Sequence, residues 1–361
     1  MHFMGMKSTK YGGLEKFMSA LVRKNNDMRF VLVYEEYPVS KGYVEELQAH
    51  NAIIEVINFT SQGLHGQLTN YRRILKKYSP DIVHFHFSNN WGALIVRLSG
   101  ITRVYKTVHS CITCNGFEVD AYKQLGLRQR VFSIGGLLNK LYTEILFVSD
   151  YTKNQYAKVF GELNTYRKVY LGIDFPVRSI DNLLAAKVSI PEGSKVISTI
   201  AFAHPLKGVD ILVRAIPEIP DAIFLIIGLN DCEYTNELVT LANSLGVNDR
   251  IRWIGITDNV VEYLQLTDLY VQPSRTEALS LAACEALALG VPVVGSNVGG
   301  LPEVALRVFE RENHHQLAEI INGILKDSSV YNDLTIQSLN SFQQKFRLSD
   351  AIETYSSIYR N

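Results

Sequence analysis

Two glutamates separated by seven residues, Glu277 and Glu285, lie in the run Pro273-Ser-Arg-Thr-Glu277-Ala-Leu-Ser-Leu-Ala-Ala-Cys-Glu285-Ala-Leu-Ala-Leu-Gly290-Val-Pro-Val-Val-Gly295. Carboxylates accept paired hydroxyl hydrogen bonds, so two at this spacing suit a ligand rich in hydroxyls. The pattern predicts a strand ending at Pro273, a loop presenting Glu277 and a helix over 277–289. Free backbone N–H groups near Ala278, Leu279 and Ser280 would then be placed to hold phosphate oxygens. Eight residues at about 100° each bring Glu285 about 80° round the axis, so the carboxylates meet different parts of one elongated ligand. Two ordinary helix glutamates are the plain alternative.

Other residues invite chemistry with less specificity. In Phe202-Ala-His204-Pro-Leu-Lys207-Gly208, a lysine and a glycine enter a helix after a strand, a place suited to an anion but also common as a surface feature. Lys10-Tyr-Gly12-Gly13 is a glycine turn before a helix, which lets backbone approach a ligand closely and is often only a turn. His84 and His86 share one face of a strand, where side chains repeat every two residues. Without a nearby third ligand they read as partly buried strand histidines rather than a metal site. Cys111 and Cys114 form a lone Cys-x-x-Cys; Cys232 and Cys284 do not supply the second such pair that a zinc site needs.

These residues must be held by regular elements, and short apolar runs alternate with amphipathic stretches in the manner of parallel strands and covering helices. Strands are predicted over 30–34, 52–57, 82–87, 104–108 and 145–148, with helices over 14–24, 66–77 and 151–159, the last capped by Ser149 or Asp150. An opening strand over 1–6 is short, as though a few residues were missing. Gly172-Ile-Asp174-Phe-Pro176 suits a connection, after which strands over 196–200, 222–228, 251–255, 269–271 and 291–295 alternate with helices over 209–215, 233–245 and 277–289. A tail helix over 349–359, with Ser349 as its cap, carries apolar Ile352, Tyr355 and Ile358 at helical spacing. Two doubly wound α/β domains follow, residues 1–174 with a C-terminal helix over 346–361, and 175–345, with ligands expected beyond the carboxyl ends of the strands in a shared cleft.

Composition agrees with an ordinary globular chain: 361 residues, 47% hydrophobic and 20% charged, long enough for about two domains. No apolar run reaches the roughly 20 residues that cross a bilayer, and the start carries no secretory signal, so a cytoplasmic location is expected. Whole-chain charge is zero, which argues against nucleic acid as a partner. Residues 1–175 nevertheless hold 22 lysines and arginines against 14 acidic residues, and the remainder reverses this. The basic half is suited either to an anionic inner membrane surface or to attraction of the acidic half.

The paired-glutamate stretch resembles the donor site of family 4 retaining glycosyltransferases, the glycosyl transferases group 1, which have the GT-B fold: two Rossmann-like domains facing a central cleft, with the C-terminal helix packing back on the first. The resemblance covers most of the chain. It implies that Glu277 touches the donor sugar and Glu285 grips the ribose hydroxyls, with Ala278, Leu279 and Ser280 offering backbone to the donor. Lys207 matches the lysine that neutralises the departing diphosphate, and Gly12 and Gly13 match the glycine-rich loop. Where the family carries an arginine five residues before that lysine, this chain has Phe202; His204 or Arg275 could compensate. Thr107-Val-His109-Ser110 resembles the family histidine that meets the donor sugar and helps hold developing charge. Gly299-Gly300-Leu-Pro302-Glu303 matches another family segment, followed by a shortened, charged stretch over 307–314 in which a strand or loop is trimmed.

The resemblance implies a hexosyl- or N-acetylhexosaminyl-transferase taking a UDP- or GDP-linked sugar to a glycan or lipid-linked acceptor, in cell-surface polysaccharide or glycoconjugate biosynthesis. No Asp-x-Asp occurs in the sequence, so no cofactor and no metal are expected, and Lys207 with helix N-termini must stabilise the leaving group. Glu277, His109 and Lys207 are then the catalytic candidates. Two rivals stand beside this reading: a nucleotide-sugar epimerase of the same fold, and a catalytically silent glycosyltransferase-like partner, the latter motivated by Phe202 and the stretch after Glu303.

Overall fold

The computed structural model describes residues 1–8, 11–57, 64–87, 91–114, 117–118, 134–174 and 188–361. Contacts divide the chain into two compact units, one of Met1–Cys114, Glu118–Ile173 and Leu348–Asn361, the other built mainly of Asp174–Arg347. Of the predicted connection, Gly172, Ile173 and Asp174 are described, while Phe175 and Pro176 lie outside the described residues.

The chain up to Lys168 carries β1 (His2–Met4), β2 (Val31–Tyr34), β3 (Ile53–Val56), β4 (Ile82–His86), β5 (Arg103–Val108), a separate two-stranded sheet of β6 (Thr113–Cys114) and β7 (Phe117–Glu118), β8 (Glu144–Phe147) and β9 (Tyr166–Lys168). The seven-stranded parallel sheet of the first unit runs in the order β3-β2-β1-β4-β5-β8-β9. The order turns back on itself between β1 and β4, which makes that gap the topological switch point. Helices Gly13–Lys24, Lys41–Ala49, Leu64–Tyr78, Trp91–Leu98, Ile134–Asn139 and Asp150–Phe160 connect the strands. Lys41–Ala49, Trp91–Leu98 and Ile134–Asn139 were not anticipated from sequence.

The opening strand is three residues long, and its pairing with β4 sets His2 opposite His84 and Met4 opposite His86. The C-terminal helix, Leu348–Arg360, closes this unit against Gly13–Lys24. Tyr355 meets the edge of Phe17 at 4.9 Å between centroids, and the Asn25 amide donates to the Ser356 hydroxyl at 2.9 Å. Because the helix begins at Leu348, Ser349 lies inside its first turn and is not the cap; the Leu348 N–H is instead tied to the Ile173 carbonyl at 3.0 Å.

The second unit repeats the plan with β10 (Lys195–Ile200), β11 (Ala222–Ile227), β12 (Ile251–Ile254), β13 (Leu269–Gln272), β14 (Val293–Ser296) and β15 (Arg307–Phe309), ordered β12-β11-β10-β13-β14-β15 and all parallel. Its switch point lies between β10 and β13. β11 is buried at all six positions, as its unbroken apolar sequence requires of a central strand covered on both faces. The charged stretch after Glu303 is not stripped of its strand: Arg307–Phe309 forms the edge of the sheet and anchors it through buried Phe309. Helices His314–Lys326 and Ser328–Lys345 follow.

Candidate active site

In the second unit the chain leaves β10 through Phe202, turns at Pro205–Lys207 and starts the helix Val209–Ala215. His204 shapes this loop by accepting the Leu206 N–H on Nδ1 at 3.1 Å. Gly208 has φ +64°, and a Cβ there would lie 2.0 Å from the Pro273 carbonyl oxygen. Only glycine combines that left-handed backbone with so close an approach, so it lets the loop after β10 lie against the loop after β13. Across this contact the Lys207 Nζ reaches Glu277 Oε2 at 2.7 Å, with side chains 18% and 13% exposed. The two residues singled out from separate stretches of sequence therefore converge at the carboxyl ends of the two switch-point strands.

Glu277 rests on a polar chain that runs down β13. The Ile200 N–H donates to the buried Tyr270 hydroxyl at 3.3 Å, which donates to Gln272 Oε1 at 2.6 Å. Gln272 Nε2 donates to Ser274 Oγ at 2.9 Å, and Ser274 Oγ reaches Glu277 Oε2 at 3.4 Å. Burial raises the Tyr270 phenol far above its ordinary pKa, so it remains a fixed donor. Alternation along a strand was the signal available for Tyr270, Gln272 and Ser274, three polar residues at a spacing of two, none of which had been singled out from the sequence.

The helix expected over 277–289 spans Leu281–Ala288. Ser280 caps it, accepting the Ala283 N–H at 3.2 Å, while its hydroxyl donates to Gln272 at 2.9 Å. Glu277 is held before the helix by its side-chain ion pair and by the Gly300 N–H, which donates to its carbonyl at 2.8 Å. Glu277 and Glu285 therefore do not share one helix, contrary to expectation: Glu285 sits half-buried in the second turn, and Glu277, Ala278 and Leu279 belong to the preceding loop. The free N–H groups of the helix begin after Ser280 rather than near Ala278.

Arg275 is not a substitute for the missing arginine. Its guanidinium grips both Asp210 oxygens at 2.8 Å, both Glu312 oxygens at 2.7 and 2.8 Å, and the Pro205 carbonyl at 2.6 Å. It acts as a clamp between the two loops. Burial alone would raise the Asp210 pKa, but Arg275 overrides this and holds it below the ordinary value. Phe202 itself is 59% exposed, with the Lys207 ammonium 5.0 Å from its ring centroid, a cation–π contact in place of a second cation.

In the first unit Gly12 precedes the helix that begins at Gly13, and its N–H donates to Glu15 Oε2 at 3.2 Å; buried Glu15 also accepts from Ser8 at 2.8 Å. Part of the donor capacity of this glycine turn is thus used internally. Lys10 lies outside the described residues. His109 follows β5, its Nε2 2.9 Å from His86 Nδ1 and its ring stacked on Phe87 at 4.6 Å. Desolvation pushes its pKa down to about 3, so it offers a neutral imidazole that can orient a hydroxyl but carries no positive charge near neutrality.

His84 and His86 are fully rather than partly buried, and a third histidine does lie beside them: His2, His84 and His86 have ligand-capable atoms within 4.8 Å of one another. Both nitrogens of His84, both of His86 and Nδ1 of His2 are already engaged. His84 bonds Tyr359 at 2.6 Å and Thr107 at 2.8 Å, while His86 bonds His2 at 3.2 Å as well as His109. Glu218, His314 and His315 form another metal-capable group, on the surface. Cys111, Cys232 and Cys284 are in no disulfide; the side chain of Cys114 lies outside the described residues.

Comparison with known proteins adds the following. The family model described as Glycosyltransferase Family 4 matches residues 11–175, and that described as Glycosyl transferases group 1 matches residues 181–340. The chain is 29% identical over 184 residues to the N-acetyl-alpha-D-glucosaminyl L-malate synthase of Bacillus anthracis, covering 49% of this chain and 48% of that protein. It is 27% identical over 251 residues to a GDP-mannose-dependent monoacylated alpha-(1-6)-phosphatidylinositol monomannoside mannosyltransferase of Corynebacterium glutamicum, covering 63% and 62%. Both alignments span less than two thirds of the relative. Among solved structures, Anabaena HepE in complex with UDP superposes with a TM-score of 0.82 at 18% identity, covering 99% of each chain, which gives the same fold. Among the described residues no helix is long and apolar enough to cross a membrane.

Proposed function

We propose, from the premise that this chain belongs to glycosyltransferase family 4 and the group 1 glycosyl transferases, that it moves a hexosyl or N-acetylhexosaminyl group from a UDP- or GDP-linked donor to a glycan or lipid-linked acceptor. The observation that carries this reading is the 2.7 Å contact between Lys207 and Glu277 at the switch point of the second unit. A positive and a negative group fixed side by side at the end of a parallel sheet suit a ligand with an anionic half and a hydroxyl-rich half.

In this reading the diphosphate takes the Lys207 ammonium away from Glu277, and Glu277 turns its freed acceptor capacity to the sugar hydroxyls. Glu285 holds the ribose. As the bond from the anomeric carbon to the phosphate oxygen breaks, Lys207 and the helix opening at Leu281 face the accumulating negative charge in preorganised positions. The acceptor oxygen attacks from the same face, and its proton passes to a departing phosphate oxygen, so configuration is retained. His109 orients a donor hydroxyl as a neutral ring. The sequence lacks Asp-x-Asp, which supports a metal-independent reaction without a cofactor.

The basic N-terminal half supports a cytoplasmic enzyme resting on the anionic inner face of the membrane, where a lipid-linked acceptor would be presented. A thermal-shift series against UDP-, GDP-, ADP- and CMP-sugars tests the donor reading, because a ligand that binds only the native state raises apparent stability. One donor class should raise the midpoint, and Lys207→Ala should abolish the rise. No stabilisation by any of them at millimolar concentration would sink the assignment.

A further inference from the structure

We infer that His86 is a positioning residue for His109: it fixes the tautomer and rotation of that ring through the bond between His86 Nδ1 and His109 Nε2, and a buried ladder ending on the C-terminal helix fixes His86 in turn. The inference rests on the proposed role of His109 at the donor sugar.

The ladder follows from register. β1 and β4 place Met4 opposite His86 and His2 opposite His84, and β4 and β5 place His84 opposite Tyr105 and His86 opposite Thr107. The His84 and His86 rings stack at 4.5 Å, nearly parallel at 7°, and His2 stacks on both at 5.4 and 5.5 Å. His84 is locked at both nitrogens, by Tyr359 on the C-terminal helix and by Thr107, whose hydroxyl also meets Tyr355 of the same helix at 3.0 Å. His86 is therefore stacked on a ring that cannot turn.

A neutral imidazole carries one N–H and one acceptor nitrogen. Burial drives His2, His84 and His86 well below their ordinary pKa, so each has that single proton. The two bonds of His86 then admit only two arrangements. In one, His2 donates to His86, which donates to His109, and His109 Nδ1 keeps its hydrogen. In the other every donor and acceptor is reversed, and His109 Nδ1 is bare. Either way the state of the His109 nitrogen that is not bonded to His86 is dictated by His86, which is how an outer partner sets the ring it holds.

The side-chain nitrogen and oxygen of asparagine occupy about the place of histidine Nδ1, whereas those of glutamine reach about the place of Nε2. His86→Asn therefore keeps the bond to His109, and His86→Gln keeps only the bond to His2. Long-range proton–nitrogen NMR on the full-length protein reads the tautomer of His109 directly, with His109→Gln assigning its signals. Wild type should show one neutral tautomer between pH 6 and 8, while His86→Asn, which keeps the bond but can turn either its nitrogen or its oxygen to His109, and His86→Gln, which loses it, should each show an averaged pair. Given an acceptor assay, kcat should fall about tenfold in His86→Gln with little change in donor KM, and His86→Asn should recover most of it. An unchanged single tautomer in a folded His86→Gln would overturn the inference, whatever the activity. Full transfer activity in His109→Gln would instead overturn the donor role of His109 while leaving the tautomer result standing.

Discussion

Lys207 and Glu277 form an ion pair that is largely removed from water, and the proposed donor site rests on it. Lys207→Ala should lower kcat by about 10²-fold, because one preorganised charge at the leaving group is removed, and Lys207→Arg should restore only part of it, since a planar fork does not replace a point charge. Steady-state transfer or donor hydrolysis measures both. Gly208 carries a stability prediction. A methyl group at φ +64° facing the Pro273 carbonyl should cost at least about 1–3 kcal/mol in Gly208→Ala, read from a denaturant midpoint. Lys207, Gly208 and Glu277 were all visible in the sequence as candidate positions. What was not visible was Arg275 spent on Asp210 and Glu312: charge is read from a residue type, but its partners are known only once distant segments meet.

At the scale of elements, the central strands of both sheets fell close to the positions that apolar runs predict, because burial of such runs is a local pattern, whereas the edge strands β9 and β15 carry no such run and were not foreseen. The helix after β13 did not: Ser280 offers its hydroxyl to the Ala283 N–H, and a good cap competes successfully with an earlier start of the helix when Glu277 has partners elsewhere. The C-terminal helix illustrates the reverse. Its apolar spacing predicted that it packs on something, but only the fold shows Tyr355 and Tyr359 hydrogen-bonded beneath the site histidines. Tyr359→Phe should cost about 1–3 kcal/mol, since it leaves a buried His84 nitrogen without its partner while preserving shape, and a urea titration would reveal a smaller loss as evidence of a replacement partner.

The whole molecule should be acid-labile for a reason that surface charge does not supply. His2, His84, His86 and His109 have folded pKa values depressed below the ordinary 6.5, so the unfolded chain takes up protons that the folded chain refuses. Stability is then undiminished above about pH 6.5 and falls with pH below it, by up to about 1.4 kcal/mol per unit for each such ring, until the folded-state values are reached. Unfolding midpoints at pH 7.5 and 5.0 should differ by more than a variant with His84→Phe and Tyr359→Phe combined, which removes one ring from the set. The charge asymmetry makes a second prediction: sedimentation with anionic vesicles should be appreciable at about 50 mM salt and weak at about 500 mM, where screening is short-ranged. Salt-independent binding, or none at low salt, would remove the membrane from the proposal.

The sequence by itself determined two parallel-sheet units, their central strands, and Lys207 and Glu277 as the residues worth joining, because hydrophobic period, glycine placement and residue type are local properties of the chain. Only the tertiary structure decided that Arg275 serves as a clamp, that Ser280 starts the helix, and that His2 completes a buried row with His84 and His86. Those depend on register between strands distant in sequence, where one position of slip along β1 would turn His2 to the other face of the sheet.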